Sequence, residues 1–202
     1  MRKLRHKPWD AKAAAWLIAP FKDSNTIHPN HFTLLRLVVG LAGAWLFAKG
    51  TYLNTAAVLI ISSNFIDHMD GELARLADKQ SRFGHIFDLA SDALVTVLMF
   101  VGIGVGVALS PETNYALEAG VISGVSVALI FHLRYLIEEK HGKSKIDQAF
   151  WGGFEAEDIL YLIPIVTLLE GLNYFLYLAS LGAPLAAAFV VFQYGKIMVE
   201  EK

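Results

Sequence analysis

Residues 64–107 read NFIDHMDGELARLADKQSRFGHIFDLASDALVTVLMFVGIGVGV, and the reading of Asp67, Asp70, Asp88 and Asp92 within them decides the fold. Both flanks are apolar runs at helical spacing, and turn residues intervene only between Lys79 and Gly84. The four carboxylates therefore belong to two consecutive apolar helices. An Asp near the centre of a membrane-spanning helix costs roughly 2.5 to 3.5 kcal/mol, so a group of them needs cations, water or a ligand to offset that cost.

Composition agrees with a membrane setting. The chain has 202 residues, 55% of them apolar and 18% charged, with a mean hydropathy of +0.47. A span needs about 20 mainly apolar residues. Spans are expected near residues 30–49, 52–77, 82–109 and 114–138, with two more between 155 and 199. In the last stretch both Glu170-Gly171-Leu172-Asn173 and Ser180-Leu181-Gly182-Ala183-Pro184 read as turns, and either choice gives six helices. The expected fold is an all-α integral membrane domain over residues 1–202, with 1–28 an interfacial segment and 29–199 a six-helix bundle.

With six spans, 16 of the 17 Lys and Arg residues fall on the side of the two termini, and only Lys49 lies opposite. The positive-inside rule makes that side cytoplasmic, and the aspartates open toward it. Trp9, Ala13, Trp16 and Leu17 recur at helical spacing, which predicts an uncleaved amphipathic helix along the cytoplasmic leaflet, its basic residues facing anionic lipid. The net charge of −2 gives no sign of nucleic-acid binding. With no cysteine, disulfides and thiolate ligands are excluded.

At about 100° per residue, Asp67, Asp70, Gly71 and Ala74 share one face of the first helix. Gly84, Asp88 and Asp92, four apart, form a stripe on the next. Carboxylates converging from two helices suit Mg²⁺ or Mn²⁺. Two such ions about 3.5 to 4 Å apart clamp a pyrophosphate. Arg75 adds a bidentate fork for phosphate oxygens, and the small residues leave room for a ligand against the helix backbones.

The pattern Asp67-x2-Asp70-Gly71-x2-Ala74-Arg75-x8-Gly84-x3-Asp88-x3-Asp92 resembles the signature of the CDP-alcohol phosphotransferase family, with eight fixed residues across 26 positions. The similarity extends to the six spans, the N-terminal interfacial helix, and the Pro29-Asn30 and Thr33–Arg36 stretch at the start of helix 1. The resemblance implies a membrane enzyme of bacterial or archaeal type that transfers a substituted phosphate, most simply phosphatidyl from CDP-diacylglycerol, to a small alcohol and releases CMP. It implies that Asp67, Asp70, Asp88 and Asp92 bind two divalent cations, Mg²⁺ or Mn²⁺, with Asp92 also the candidate base. It further implies that Asp67, Gly71, Ala74, Arg75 and Gly84 contact the CMP part of a CDP-linked lipid donor, and that the protein forms a homodimer.

Arg36, Arg134, Glu155 and Asp158 are weaker candidates for the acceptor pocket, with Lys145 weaker still, since snorkelling and the helix dipole explain such residues equally well. His68 and His85 fall at variable motif positions and read as neighbours of the site or interfacial residues rather than ligands. Family members with a phosphorylated acceptor often carry a basic residue after the last Asp, where this chain has Ala93. Two other functions compete. A CDP-amino-alcohol phosphotransferase with a diacylglycerol acceptor is disfavoured by the compact chain. A divalent-cation transporter is disfavoured by Arg75 and by the uncharged stretch Ala93–Ala108.

Overall fold

The computed structural model describes residues 9–110, 113–141 and 160–199, and every regular element among them is helical. The α-helices are α1 (Trp9–Ile18), α2 (Pro29–Lys49), α3 (Leu53–Leu76), α4 (Arg82–Val107), α5 (Ala116–His141), α6 (Ile163–Leu168) and α7 (Leu172–Val199). The expected boundaries of the first four spans match α2 to α5 within three residues.

Local chemistry sets these limits. At the start of α2, His28 Nδ1 accepts from the Asn30 N–H and His31 Nδ1 accepts from the His28 N–H, a reciprocal cap followed by Pro29 in the first turn. Gly50 ends α2 in the left-handed region at φ 62°, where its lack of a Cβ removes the strain. Ser81 caps α4 by accepting from the Gly84 N–H at 3.0 Å.

Of the two possible turns near the C-terminus, the chain uses the first. Glu170 takes φ 55° and the Gly171 N–H reaches Val166 O at 2.9 Å, which closes α6. Ser180–Pro184 forms no turn, and Pro184 sits inside α7. In an apolar helix neighbouring groups can absorb the one backbone bond that a proline removes.

α2 packs against α3 and α4, α4 against α5, and α5 against α7, while α1 and α6 lie on α3. Small residues permit this closeness. A Cβ on Gly104 or Gly120 would sit 2.7 Å from Ala116 O or 2.5 Å from Phe100 O, so α4 and α5 meet backbone to backbone. Gly102 and Gly106 similarly face Ala44 O and Phe47 O of α2. Phe47, Ile60, Met99, Ile103 and Leu176 fill the core between helices.

Four helices among the described residues are long and apolar enough to cross a membrane: Pro29–Lys49, Arg82–Val107, Ala116–Ile137 and Leu172–Met198. α3 has 24 residues but carries Asp67, Asp70, Glu72 and Arg75 in its C-terminal half. Large apolar side chains such as Trp45, Val125, Leu185 and Phe192 stand exposed on these helices, as expected where lipid is the solvent. On α1, Asp10, Ala11, Ala14 and Ile18 are buried while Trp9 and Trp16 are exposed.

Candidate metal and nucleotide site

Three helices build the site. α3 contributes Asp67 and Asp70, α4 contributes Asp88 and Asp92, and α2 inserts Thr33 and Arg36 between them. Asp67, Asp70 and Asp88 each offer a carboxylate oxygen within 4.8 Å of the others. Asp92, expected to join them, stands outside this trio and meets Arg36 instead.

Arg36 is 2% exposed and sits amid the carboxylates. Its Nη1 donates to Asp92 Oδ1 at 2.7 Å, and its Nη2 donates to Asp88 O at 2.7 Å and to Asp88 Oδ1 at 3.3 Å. Its Nε lies 3.0 Å from Asp67 Oδ1, an ion-pair contact without hydrogen-bond geometry. The Asp67 oxygen is thus buried with bonding capacity to spare. An orphaned anionic oxygen in a cluster of three carboxylates fits a hard divalent cation, for which carboxylate is a preferred ligand. Thr33 fixes a fourth element of the arrangement: its hydroxyl donates to Asp70 Oδ2 at 2.7 Å, turning the carboxylate of a side chain only 5% exposed.

A groove of about 660 Å³ opens beside this cluster. Gly71, Ala74, Arg75 and Gly84 all line it, with Asp70 and Asp88 in its wall. At Gly84 a Cβ would stand 3.0 Å from both Asn30 Oδ1 and Ser81 Oγ, so any side chain there takes up groove space. Arg75 is half exposed and anchored by a 2.8 Å bond from Nη2 to the buried Glu72. Lys79 and Arg82 also line the groove, and Lys79 Nζ donates to the carbonyls of Ser24 and Ile27, tying the α1–α2 connection to the α3–α4 turn. This is a basic-walled slot ending on an acidic cluster, a shape suited to a nucleotide whose phosphates reach toward cations.

The weaker candidates separate. Arg36 joins the aspartates, whereas Arg134 is half buried on α5 and belongs to neither the trio nor the groove lining. Glu155, Asp158 and Lys145 lie outside the described residues. Ala93 lines a separate, mainly apolar cavity of about 290 Å³ between α4 and α5. The His85 ring lies tilted at 46° to that of Tyr135 with centroids 5.8 Å apart, and His68 contacts Asp10. Thr33 and Glu72 were not singled out as site residues from sequence. Their spacing of three from Arg36 and Arg75 is the signal that would have found them, since residues three apart are neighbours on a helix.

A sequence profile of CDP-alcohol phosphatidyltransferases matches residues 26–197. The chain belongs to the CDP-alcohol phosphatidyltransferase family. Within it, the chain is 33% identical over 89 residues to an archaetidylinositol phosphate synthase of Methanothermobacter thermautotrophicus, a match covering 44% of this chain and 45% of that one. It is 31% identical over 98 residues to a bifunctional IPC transferase and DIPP synthase of Rubrobacter xylanophilus, covering 48% and 22%. The matched segments thus span less than half the length of these relatives. Among solved structures, the phosphatidylinositol phosphate synthase of Mycobacterium tuberculosis with CDP-DAG bound superposes with a TM-score of 0.72 at 17% identity, covering 91% of this chain and 94% of that one. The same enzyme in complex with manganese and citrate gives 0.68 at 19% identity, covering 92% and 88%. At such identity these structures establish a shared fold.

Proposed function

We propose that this family member transfers a phosphatidyl-type group from a CDP-linked lipid, CDP-diacylglycerol in the simplest case, to a hydroxyl of a small polar alcohol and releases CMP. The observation that carries this reading is the convergence of Asp67, Asp70 and Asp88 at the end of a groove lined by Gly71, Ala74, Arg75 and Gly84. CDP-DAG and manganese bound in two structures of a protein of the same fold, and the relatives' names, support it.

Asp67, Asp70 and Asp88, with Asp92 completing the set, are the residues that would hold two Mg²⁺ or Mn²⁺ ions. Ions bound there supply positive charge to the donor's diphosphate and to the oxygen that leaves with CMP. The protein's own groups do the rest. Gly71, Ala74 and Gly84 leave space for the nucleotide, and Arg75, braced by Glu72, offers its remaining N–H groups to phosphate oxygens. Arg36 holds Asp67, Asp88 and Asp92 at fixed spacing and offsets their mutual repulsion. The acceptor oxygen forms its bond to phosphorus as the bond to CMP breaks, and Asp92 takes the hydroxyl proton. Arg134, Glu155 and Asp158 remain the acceptor-pocket residues of this reading, whereas Arg36 serves the carboxylates.

In the membrane, this reading has six crossings, α2 to α5 and two spans between residues 155 and 199, with α1 along the cytoplasmic leaflet and the site open to the cytosol. The basic residues Arg75, Lys79 and Arg82 at the α3–α4 turn support that orientation, and the family resemblance supports a homodimer. CMP release by purified protein with Mg²⁺ and CDP-diacylglycerol, measured across a panel of alcohols, tests the reaction. The reading expects release that depends on both the divalent ion and an acceptor. Release indifferent to every acceptor would overturn it.

A further inference from the structure

Arg36 is held at both ends. Its carbonyl accepts from the Ser63 hydroxyl at 2.8 Å, which pins α2 to α3 at this level, and a Cβ on Gly40, one turn along α2, would stand 2.8 Å from the same hydroxyl oxygen. Its guanidinium lies 2.7 Å from Asp92 Oδ1, 3.0 Å from Asp67 Oδ1 and 3.3 Å from Asp88 Oδ1. An arginine stays protonated at any working pH, so a permanent cation stands against three of the four aspartates.

The aspartates are therefore not equivalent. Asp70 is fixed by a neutral donor, the Thr33 hydroxyl, and with Asp67 and Asp88 it forms the one set of oxygens gathered within 4.8 Å. Asp92 lies outside that set and spends Oδ1 on Arg36. Two dications about 3.5 to 4 Å apart need oxygens on both sides, and those on the second side are the ones Arg36 engages. Charge points the same way. Four carboxylates and one guanidinium, all ionised, carry three net negative charges; one dication leaves a single one, and a second makes the site positive before any phosphate is present.

Resting on the reaction proposed above, we propose that Arg36 holds the place of the second ion, so that the protein alone binds one divalent cation, at Asp67, Asp70 and Asp88, and takes up the other only together with the donor's diphosphate. The diphosphate brings the negative charge and the oxygens that Arg36 otherwise withholds. The Asp88 and Asp92 side chains, 32% and 31% exposed, have room to turn from the guanidinium toward the groove side, whereas Arg36 itself is buried and anchored. Arg36 is thus a positioning residue that makes metal loading depend on the nucleotide. The cluster is not set for transfer until the donor is in place.

The test counts Mn²⁺ bound to metal-stripped protein from the paramagnetic resonance signal of the free ion, with and without CDP, against a protein-free control because CDP itself holds Mn²⁺. Wild type is expected to bind one Mn²⁺ per chain without CDP, with any second at least about tenfold weaker, and two with CDP. Arg36→Gln removes the charge but keeps a donor for the carboxylates, and should tighten the second ion at least about tenfold in the absence of CDP. Arg36→Lys keeps the charge and should keep the one-ion count. If Arg36→Gln fails to fold, the wild-type counts decide on their own. Two ions of equal affinity on wild type without CDP would overturn the inference, as would a single ion in the presence of CDP or a second ion bound equally by wild type and Arg36→Gln. Those results leave the proposed reaction standing. Wild-type protein that binds no Mn²⁺ with or without CDP would contradict the ion-dependent reaction itself, and with it this inference.

Discussion

Arg36 sits where a charge-starved cluster needs it, with one guanidinium reaching three carboxylates that two helices force together. Removing one partner of a buried ionic group costs about 3 to 5 kcal/mol, because the remaining charges lose their compensation. Arg36→Met should therefore lower the thermal midpoint markedly in chelator, and Mg²⁺ or Mn²⁺ should restore more of it in the variant than in wild type. Equal stabilisation of both proteins by the ions would contradict the counter-charge role. Asp92 raises a different question, since it meets Arg36 and stands apart from the trio. Asp92→Asn should keep donor binding within a fewfold of wild type and lose transfer by at least about a hundredfold, the usual worth of a general base. Single-turnover transfer and donor affinity measured together decide this: near-normal transfer would remove Asp92 from the chemistry, and a matching collapse of donor affinity would make it chiefly a ligand.

Two glycines on α4 show how one helix serves two ends. Gly84 faces the groove, where a Cβ would meet Asn30 and Ser81 side-chain oxygens at 3.0 Å, while Gly106 faces the backbone carbonyl of Phe47 on α2. Gly84→Leu should weaken CMP binding at little cost in stability. Gly106→Leu forces α2 and α4 apart and should destabilise by about 1 to 3 kcal/mol or more, as overpacking does. Calorimetric CMP titration alongside melting curves checks both, and the reverse pattern would refute the assignment. Most elements were legible from sequence, because apolar runs of span length and the Ser81 and Gly50 boundaries are local signals. The choice between two C-terminal turns was not local. Pro184 looks like a breaker in isolation, yet α7 runs through it. At the site, the motif residues faced one another as their helical spacing dictates. The contacts of Arg36 with the carboxylates were not legible, because its charge partners lie 31, 52 and 56 positions away, on α3 and α4. Glu72 was missed although Arg75 lies only three positions away, because an acidic residue in a charged helix end has a ready solvent explanation.

At the scale of the whole molecule, an acidic cluster is held at one end of a bundle whose outer surfaces are apolar, with basic residues at the α3–α4 turn beside it. The chain contains no cysteine, so single substitutions can report sidedness without background. Gln80→Cys, at that turn, should react with an impermeant maleimide only from the cytosolic side, and Tyr52→Cys, at the far end of α3, only from the opposite side. Labelling of both from one side would refute the orientation. The central claim is that the three convergent carboxylates hold divalent ions against the diphosphate of a cytidine nucleotide lying in the groove. The most direct measurement is CDP affinity of the purified protein with Mn²⁺ and with chelator, in wild type and in Asp70→Asn. The account predicts binding that weakens by at least about tenfold, some 1.4 kcal/mol, when the ion is removed, and an Asp70→Asn protein that binds weakly whether or not Mn²⁺ is present. CDP binding of equal strength with and without the ion, or an Asp70→Asn protein that responds to Mn²⁺ as wild type does, would contradict it.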